Sequence, residues 1–443
     1  MFYNINSIIS SFVWGAPMLS AFMGTGLLLS VRSRFYQITG FRQWMSLTII
    51  DAFRNRKTKT ADGSVSPLSA LFSALAASLG TGNIVGIATA ICAGGPGSVF
   101  WMWISAILGM MTCCCENILV IKYRKRNSSG EWIGSPMHYI RNGVGSEKLA
   151  KIYAVLLIGA SLGMGNMTQA NSACVSVSSL GISPLAFATV FAPLVLLSVS
   201  GGLRRISSIA EKLIPFLSAV FIGACLIIIF RNRSAILPCF KVIFKEAFTL
   251  KSATGFGMAK AVRYGVSRGV FSNEAGLGSN SIIHASAECD EPAVQGMWGM
   301  FEVMFDTILM CGTTAITLLS SATQNYGTSL NGIDLCNAVF SENFGAVGSV
   351  ILSACLCLYA YATTIAWSFY GKSGAVYLFG EKAGNIYNVC FSVAAFIGCV
   401  MKLEAVWALS DTLNGLMAIP NLIAVLLLSR QAINEIKKIK RLR

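Results

Sequence analysis

The chain has 443 residues, of which 54% are hydrophobic and only 12% charged, with a mean hydropathy of +0.65. Soluble domains carry roughly 25% charged residues, so a soluble enzyme, a disordered chain, a collagen and a secreted disulfide scaffold are all excluded. The net charge of +15 is spread between apolar stretches, the pattern of positive cytoplasmic loops, so a nucleic-acid partner is not expected.

A helix that crosses the hydrocarbon core needs about 20 mostly apolar residues. Eleven stretches qualify, near 8–31, 68–94, 98–121, 150–176, 184–202, 208–230, 255–287, 294–322, 345–371, 385–402 and 408–429. The chain therefore reads as an all-α integral membrane protein with about eleven transmembrane helices. The first stretch is too long for a signal-peptide core and is read as a retained span.

The Lys/Arg distribution orients these spans. With the N-terminus outside, the inward segments hold 25 basic residues and the outward loops six: Arg231, Arg233, Lys241, Lys245, Lys251 and Lys402. This bias predicts an external N-terminus and a cytoplasmic C-terminus in a plasma (bacterial inner) membrane. The basic stretch 231–251 faces the wrong way, but Ile236, Phe240, Ile243, Phe244 and Phe248 recur at helical spacing. An amphipathic surface helix accounts for both features.

Fourteen cysteines include the run Cys113-Cys114-Cys115, yet none has CxxC spacing, and the only histidines are His138 and His284. No zinc or haem site can be written from this set, so no cofactor is expected and the cysteines read as small hydrophobes.

Polar residues inside the apolar stretches carry the functional signal. Segment two contains Ser78-Leu79-Gly80-Thr81-Gly82-Asn83-Ile84 near its centre, where an unpaired backbone group in lipid costs several kcal/mol. Such a cluster marks a helix interrupted to line a cavity, the alternative being close helix packing on small residues. Segment seven contains Arg268-Gly269-Val270-Phe271-Ser272-Asn273-Glu274-Ala275-Gly276-Leu277-Gly278-Ser279, equally unsuited to an unbroken lipid-facing helix. Glu274 is either a pathway group or structural glue to Arg268 or a neighbour.

Segments two and seven are five spans apart. So are segment four, with Asn166, Gln169 and Asn171, and segment nine, with Thr363, Thr364 and Trp367. The offsets agree, 191 residues from Gly82 to Asn273 and 194 from Gln169 to Thr363. Because five is odd, the second unit must enter from the opposite side, giving the inverted repeat of secondary transporters. The expected organisation is an extra span and loop (1–66), a first five-span repeat (67–230), an amphipathic connection (231–254), a second repeat (255–430) and a basic cytoplasmic tail (431–443).

A broken helix offers N–H groups to an anion at one half-helix start and C=O groups to a cation at the other half-helix end. Hydroxyl oxygens of Thr363 or Thr364 suit a sodium shell, with Gly80 beside them. A zwitterionic amino acid is the natural organic ligand, and Trp367, one turn after Thr363, can wall its pocket or pack in the core. Among other acids, Glu116 is placed to pair with Lys122 or Arg124. Glu302 and Asp306 share a helix face as proton carriers or a buried structural pair, and Glu404 and Asp411 are expected near solvent. Gly265-Val266-Ser267-Arg268-Gly269 fits a nucleophile elbow by letters alone, with no preceding strand, and no nucleotide-binding loop is present. The protein is not expected to be an enzyme.

The same residues carry a family resemblance. Gly80-Thr81-Gly82-Asn83-Ile84, then Gly94-Gly95-Pro96-Gly97-Ser98 and Gly163-Met164-Gly165-Asn166-Met167, followed by Ser272-Asn273-Glu274-Ala275-Gly276-Leu277-Gly278-Ser279 and Gly296-Met297-Trp298-Gly299, resemble the alanine/glycine:cation symporter family across roughly 65–375. The resemblance implies a five-plus-five, LeuT-type fold with two broken helices. It also implies sodium-coupled import of small neutral amino acids, alanine or glycine, by alternating access. It places substrate contacts at Thr81, Gly82, Asn83, Gln169, Phe271, Ser272, Asn273, Thr363 and Trp367, and sodium between segments two and nine. The chain departs from the family pattern at Ser135 and His138 (Gly and Tyr are usual), at Asn280-Ser281 (Ala-Pro is common) and in the register of the Thr363-Thr364 pair. Two alternatives stand beside sodium symport: a proton-coupled transporter using Glu274, Glu302 or Asp306, and an uncoupled channel or sensor.

Overall fold

The computed structural model describes residues 2–54, 64–127, 130–250, 257–321, 332–401 and 404–441. Apart from a hairpin pairing Lys125–Arg126 with Trp132–Ile133 and a lone bridge between Val65 and Ala287, the regular structure among them is helical. Among the described residues eight helices are long and apolar enough to cross a membrane: Ile8–Arg32, Gly97–Tyr123, Glu147–Ser178, Gly202–Arg231, Pro292–Ser321, Ala346–Phe379, Lys382–Val400 and Leu409–Ile439. They coincide with predicted segments one, three, four, six and eight to eleven.

Segments two, five and seven consist of shorter helices, for local reasons. Segment two starts where Ser66 caps the helix at Ser69 N and Pro67 occupies the first turn, then stops at Ser78 and resumes as Val85–Gly94. Segment five, Pro184–Ser200, starts the same way from Ser183. A serine acceptor followed by a proline that needs no N–H partner is a strong helix start. Segment seven runs as Met258–Asn273, breaks, and resumes as the single turn Ser281–His284.

The two broken segments lie side by side and antiparallel. At one end Glu288 N donates to Val65 O at 2.8 Å. Midway, a Cβ at Gly82 would touch Phe271 Cδ1 at 3.4 Å, and at the far end one at Gly94 would collide with Tyr264 Cβ at 2.7 Å. Segments three and eight pair likewise, with Gly296 against Cys114 and Gly109 near Val303. So do segments four and nine, with Gly165 against Trp367 and Ser176 O accepting from Ser353 Oγ. In these three pairs each element packs against the one five positions on, running the other way, the relation that an inverted repeat gives.

The structure adds two helical features. A helix at Gly332–Phe344 sits between segments eight and nine, and the last helix, Glu404–Arg441, carries on through the stretch expected as a tail. The amphipathic helix is present as Ile236–Ala247. Phe244 packs edge-on against Phe100, while Trp101 Nε1 donates to Ala247 O at 2.9 Å. Its Lys241 and Lys245 are exposed; Lys251, Lys402 and the 254/255 boundary lie outside the described residues. Large apolar side chains stay exposed on the flanks, among them Val190, Phe216, Phe230 and Val389, a surface suited to acyl chains rather than water. Cys113, Cys114 and Cys115 are buried free thiols.

Candidate functional site

The break in segment two is a single 3-10 turn, Thr81–Asn83. Asn83 organises it: its Oδ1 accepts from Gly80 N at 3.1 Å, while its Nδ2 reaches across to Asp306 Oδ1 at 2.7 Å. From segment four, Gln169 Oε1 accepts from both Thr81 N (3.2 Å) and Thr81 Oγ1 (2.9 Å). From segment nine, Thr363 Oγ1 lies 3.4 Å from Leu79 O. A Cβ at Gly80 would stand 2.8 Å from that hydroxyl and 3.0 Å from Gln169 Oε1, so only glycine leaves the three elements room to meet.

The break in segment seven is wider. Helix geometry ends at Asn273, and Glu274 (φ 56°), Gly276 (φ 94°) and Gly278 (φ 79°) take left-handed backbone. Its carbonyls are not bare. Asn273 O accepts from Asn280 Nδ2, Gly276 O from Asn421 Nδ2, Leu277 O from Tyr153 OH and Gly278 O from Ser281 Oγ. Low-dielectric surroundings favour this pairing, and it revises the expectation of free carbonyls awaiting a cation at the segment-seven break. Asn280, where alanine is common in the family pattern, supplies one of these caps.

The breaks are joined through Asp306. Its Oδ2 accepts from Ser272 Oγ at 2.8 Å and Thr307 Oγ1 at 2.7 Å, while Asn83 occupies Oδ1. Thr307 Oγ1 in turn accepts from Asn273 Nδ2 at 3.0 Å. Asp306 lies in a π-type stretch, Met304–Cys311, which shifts its side chain from the direction that a regular helix would give. A wide turn is detectable only in three dimensions, so from the sequence Asp306 is expected only as a proton carrier or a structural partner of Glu302, and not among the substrate or sodium contacts. The available signal was a carboxylate inside an apolar segment.

Aromatic side chains close the space around these groups. Phe271 faces Gly82, Arg268 lies over the Phe271 ring at 5.4 Å, and Arg268 pairs with Asp411 at 3.7 Å. Trp367 is fully buried against Gly165, where a Cβ would stand 2.3 Å from its Cγ. Thr81, Asn83, Gln169, Ser272, Asn273, Thr363 and Thr364 are all buried. The Thr364 hydroxyl is turned back along its own helix to Ala360 O at 2.7 Å, whereas Thr363 faces the break. In segment four the amides divide: Gln169 serves the break, but Asn166 and Asn171 bond segment-ten carbonyls, Phe391 O and Gly398 O.

Four acidic expectations need correction. Glu116 does not pair with Lys122 or Arg124; it lies deep in segment three and accepts from Asn421 Nδ2 at 2.5 Å, while Lys122 bonds Glu435 and Arg124 bonds the carbonyls of Ala285, Ala287 and Cys289. For Glu274 only the Arg268 option fails, since it accepts from its neighbour Ser279 Oγ. Asp411 is only 23% exposed at its side chain because it meets Arg268; the Glu404 side chain lies outside the described residues. Glu302 and Asp306 part company, Glu302 taking His284 Nε2 at 3.0 Å.

Two oxygen clusters can hold a cation. One is Leu79 O with Thr363 Oγ1, beside Gly80. The other is the Asp306 carboxylate with the Ser272 and Thr307 hydroxyls, a hard-donor set of the kind that suits alkali and alkaline-earth ions. Glu116, Glu274, Glu302 and Asp306 are all at most 1% exposed, and among the described residues no lysine or arginine is buried. Buried carboxylates need a cation, a proton or hydrogen-bond donors to stay there.

A polytopic helical chain with two antiparallel broken helices joined at a buried polar site is a membrane transporter. The chain matches the sodium:alanine symporter family over residues 1–443 and belongs to that family, whose members are symporters and not enzymes. It is 38% identical to the sodium/alanine symporter AgcS of Methanococcus maripaludis, covering 100% of this chain and 98% of that one. It is 31% identical to a probable sodium/glutamine symporter GlnT of Bacillus subtilis (98% and 90%) and 30% identical to a putative sodium/proton-dependent alanine carrier protein YrbD of the same organism (98% and 91%). Among solved structures it resembles MhsT in complex with L-phenylalanine, with TM-score 0.60 and 11% identity over 84% of this chain and 98% of that one. It also resembles a Na+-coupled sialic acid symporter, with TM-score 0.59 and 12% identity over 95% and 86%. Both have the LeuT-type fold.

Proposed function

We propose that this protein imports a small neutral amino acid, alanine or glycine, together with sodium by alternating access, with its N-terminus outside and its C-terminus in the cytoplasm of the bacterial inner membrane. The observation that carries the reading is Asp306, a buried carboxylate bound to both helix breaks at once. A cation neutralising that carboxylate changes the forces on segments two and seven together, which is what coupling an ion to a solute site demands.

Several features support the substrate class. Gly82, Phe271, Gly165 and Trp367 pack with little room for a long side chain, while Thr81, Gln169 and Asn273 supply amide, hydroxyl and main-chain partners for a carboxylate and an ammonium. Sodium candidates are Gly80 and Thr363 with Leu79 O, with Thr364 behind them, and the Asp306 cluster. Three relatives bearing sodium in their names, two with alanine and one with glutamine, make those solutes and glycine the first set to compare.

Proteoliposome uptake of labelled alanine and glycine with an inward sodium gradient tests the proposal. Accumulation above the external concentration that collapses with the gradient is expected. Equal uptake without sodium removes the coupling, and equilibration without accumulation leaves a channel or sensor. Proton coupling is the second reading, favoured by the four buried carboxyl groups; an inward proton gradient at zero sodium drives uptake only under that reading.

A further inference from the structure

At the C-terminal end of segment one a cleft of about 280 Å³ opens between Arg32 and the last helix, lined there by Arg430, Ile433, Asn434 and Lys437. Arg32 Nη1 donates to Ser429 Oγ at 2.6 Å, which fixes the two helices together at this level. Positions 430, 433, 434 and 437 fall on one face of an α-helix at 3.6 residues per turn. The acid of this stretch, Glu435, lies on another face, where it bonds Lys122 and Lys438; Gln431 likewise turns towards Tyr123. Three cations and an amide therefore meet in the cleft with no carboxylate among its lining residues.

The same face one to two turns earlier carries Ile423, Leu426 and Leu427, all exposed, and segment one exposes Leu27 and Val31 beside Arg32. Along one groove the surface changes from apolar to basic within a few residues. That is the chemical profile of a phospholipid seen from the side, acyl chains first and phosphate last. Basic pockets between helices at the membrane boundary suit anionic headgroups, and a fork-shaped guanidinium matches phosphate oxygens in pairs.

We propose that this cleft binds the phosphate-bearing headgroup of an anionic phospholipid, whose chains run along Ile423, Leu427 and Leu27 and clamp segment one to the last helix. The proposal is independent of the solute and ion carried, because none of these residues belongs to the transport site.

The test uses the full chain purified in detergent, titrated with phosphatidylglycerol and with phosphatidylcholine and read by native mass spectrometry. Wild type is expected to retain phosphatidylglycerol preferentially. Arg430→Gln with Lys437→Gln should weaken its retention by about thirtyfold, from about fivefold per basic residue at an anionic surface, and Lys437→Arg should keep it. Asn434→Asp, at an exposed position that does not threaten folding, puts a carboxylate into the cleft and should also lower retention. Unchanged preference in both Arg430→Gln/Lys437→Gln and Asn434→Asp overturns the proposal. So does equal retention of the two lipids by wild type. In a parallel arm, if inorganic phosphate alone raises the wild-type melting temperature as much as phosphatidylglycerol does, the cleft is a soluble-anion site and the lipid assignment falls.

Discussion

Asn83 and Asp306, 223 residues apart, share a hydrogen bond of 2.7 Å between the break of segment two and the wide turn of segment eight. Through Ser272 the same carboxylate holds the break of segment seven. The two half-helix junctions are thus positioned by one side chain that belongs to neither.

Replacing Asp306 by asparagine keeps the shape, removes the charge and sets an amide donor against at least one of three existing donors. Sodium-dependent uptake should fall by about tenfold or more, the equivalent of about 1–3 kcal/mol for a buried polar partner left unsatisfied. Uptake titrated against sodium concentration reads this directly; a wild-type sodium dependence in Asp306→Asn would separate Asp306 from coupling.

Gln169→Ala removes the acceptor for both Thr81 groups, and Asn273→Ala removes the donor to Thr307 and the acceptor for Ala275 N. Each should weaken solute binding by about 1–3 kcal/mol. Equilibrium binding of labelled alanine in detergent checks both, and wild-type affinity would place either side chain outside the site.

Gly82 and Gly165 make opposite predictions for the same substitution. A methyl group at Gly82 meets Phe271 at 3.4 Å, an ordinary contact, so Gly82→Ala should fold and should impair alanine more than glycine by narrowing the space. At Gly165 a methyl would lie 2.3 Å from Trp367 Cγ and 2.4 Å from its Cβ. Gly165→Ala must displace the indole, at a cost of about 1–3 kcal/mol of overpacking. Comparative uptake and thermal unfolding distinguish the two.

Ser135 and His138, both departures from the family pattern, bond each other, with Oγ and Nδ1 2.7 Å apart. Burial, with Lys125 and Arg141 adding to it, pushes the His138 imidazole down to about 4. In the unfolded chain an imidazole takes its proton near pH 6.5, so between those values the unfolded state binds more protons. This contribution is complete above about pH 6.5 and is lost as pH falls, by about 2 kcal/mol at pH 5. Thermal unfolding at pH 7.5 and 5 should show this loss in wild type relative to His138→Gln; parallel pH profiles for the two proteins would refute it.

The membrane class, the positions of most helices, the two interruptions and the odd-numbered repeat were all legible in the chain. Each is a local or periodic property: apolar length, a Ser-Pro start, or a glycine-rich polar cluster where lipid tolerates none. Gln169 at the first break was legible as a polar residue in an apolar segment, whereas Phe271 entered only through the family resemblance. The partners of buried charges were not. Glu116 finds Asn421 and Asp306 finds Asn83 across segments distant in sequence, while Glu302 finds His284 and Asp306 finds Ser272 in the neighbouring segment. Nearest-neighbour pairing along the chain suggests lysine or arginine for Glu116, and Arg268 or a neighbour for Glu274. Hydrogen bonding in a low-dielectric core is decided by which helices pack together and by wide turns that rotate a side chain away from its regular direction. Only the tertiary structure contains that information.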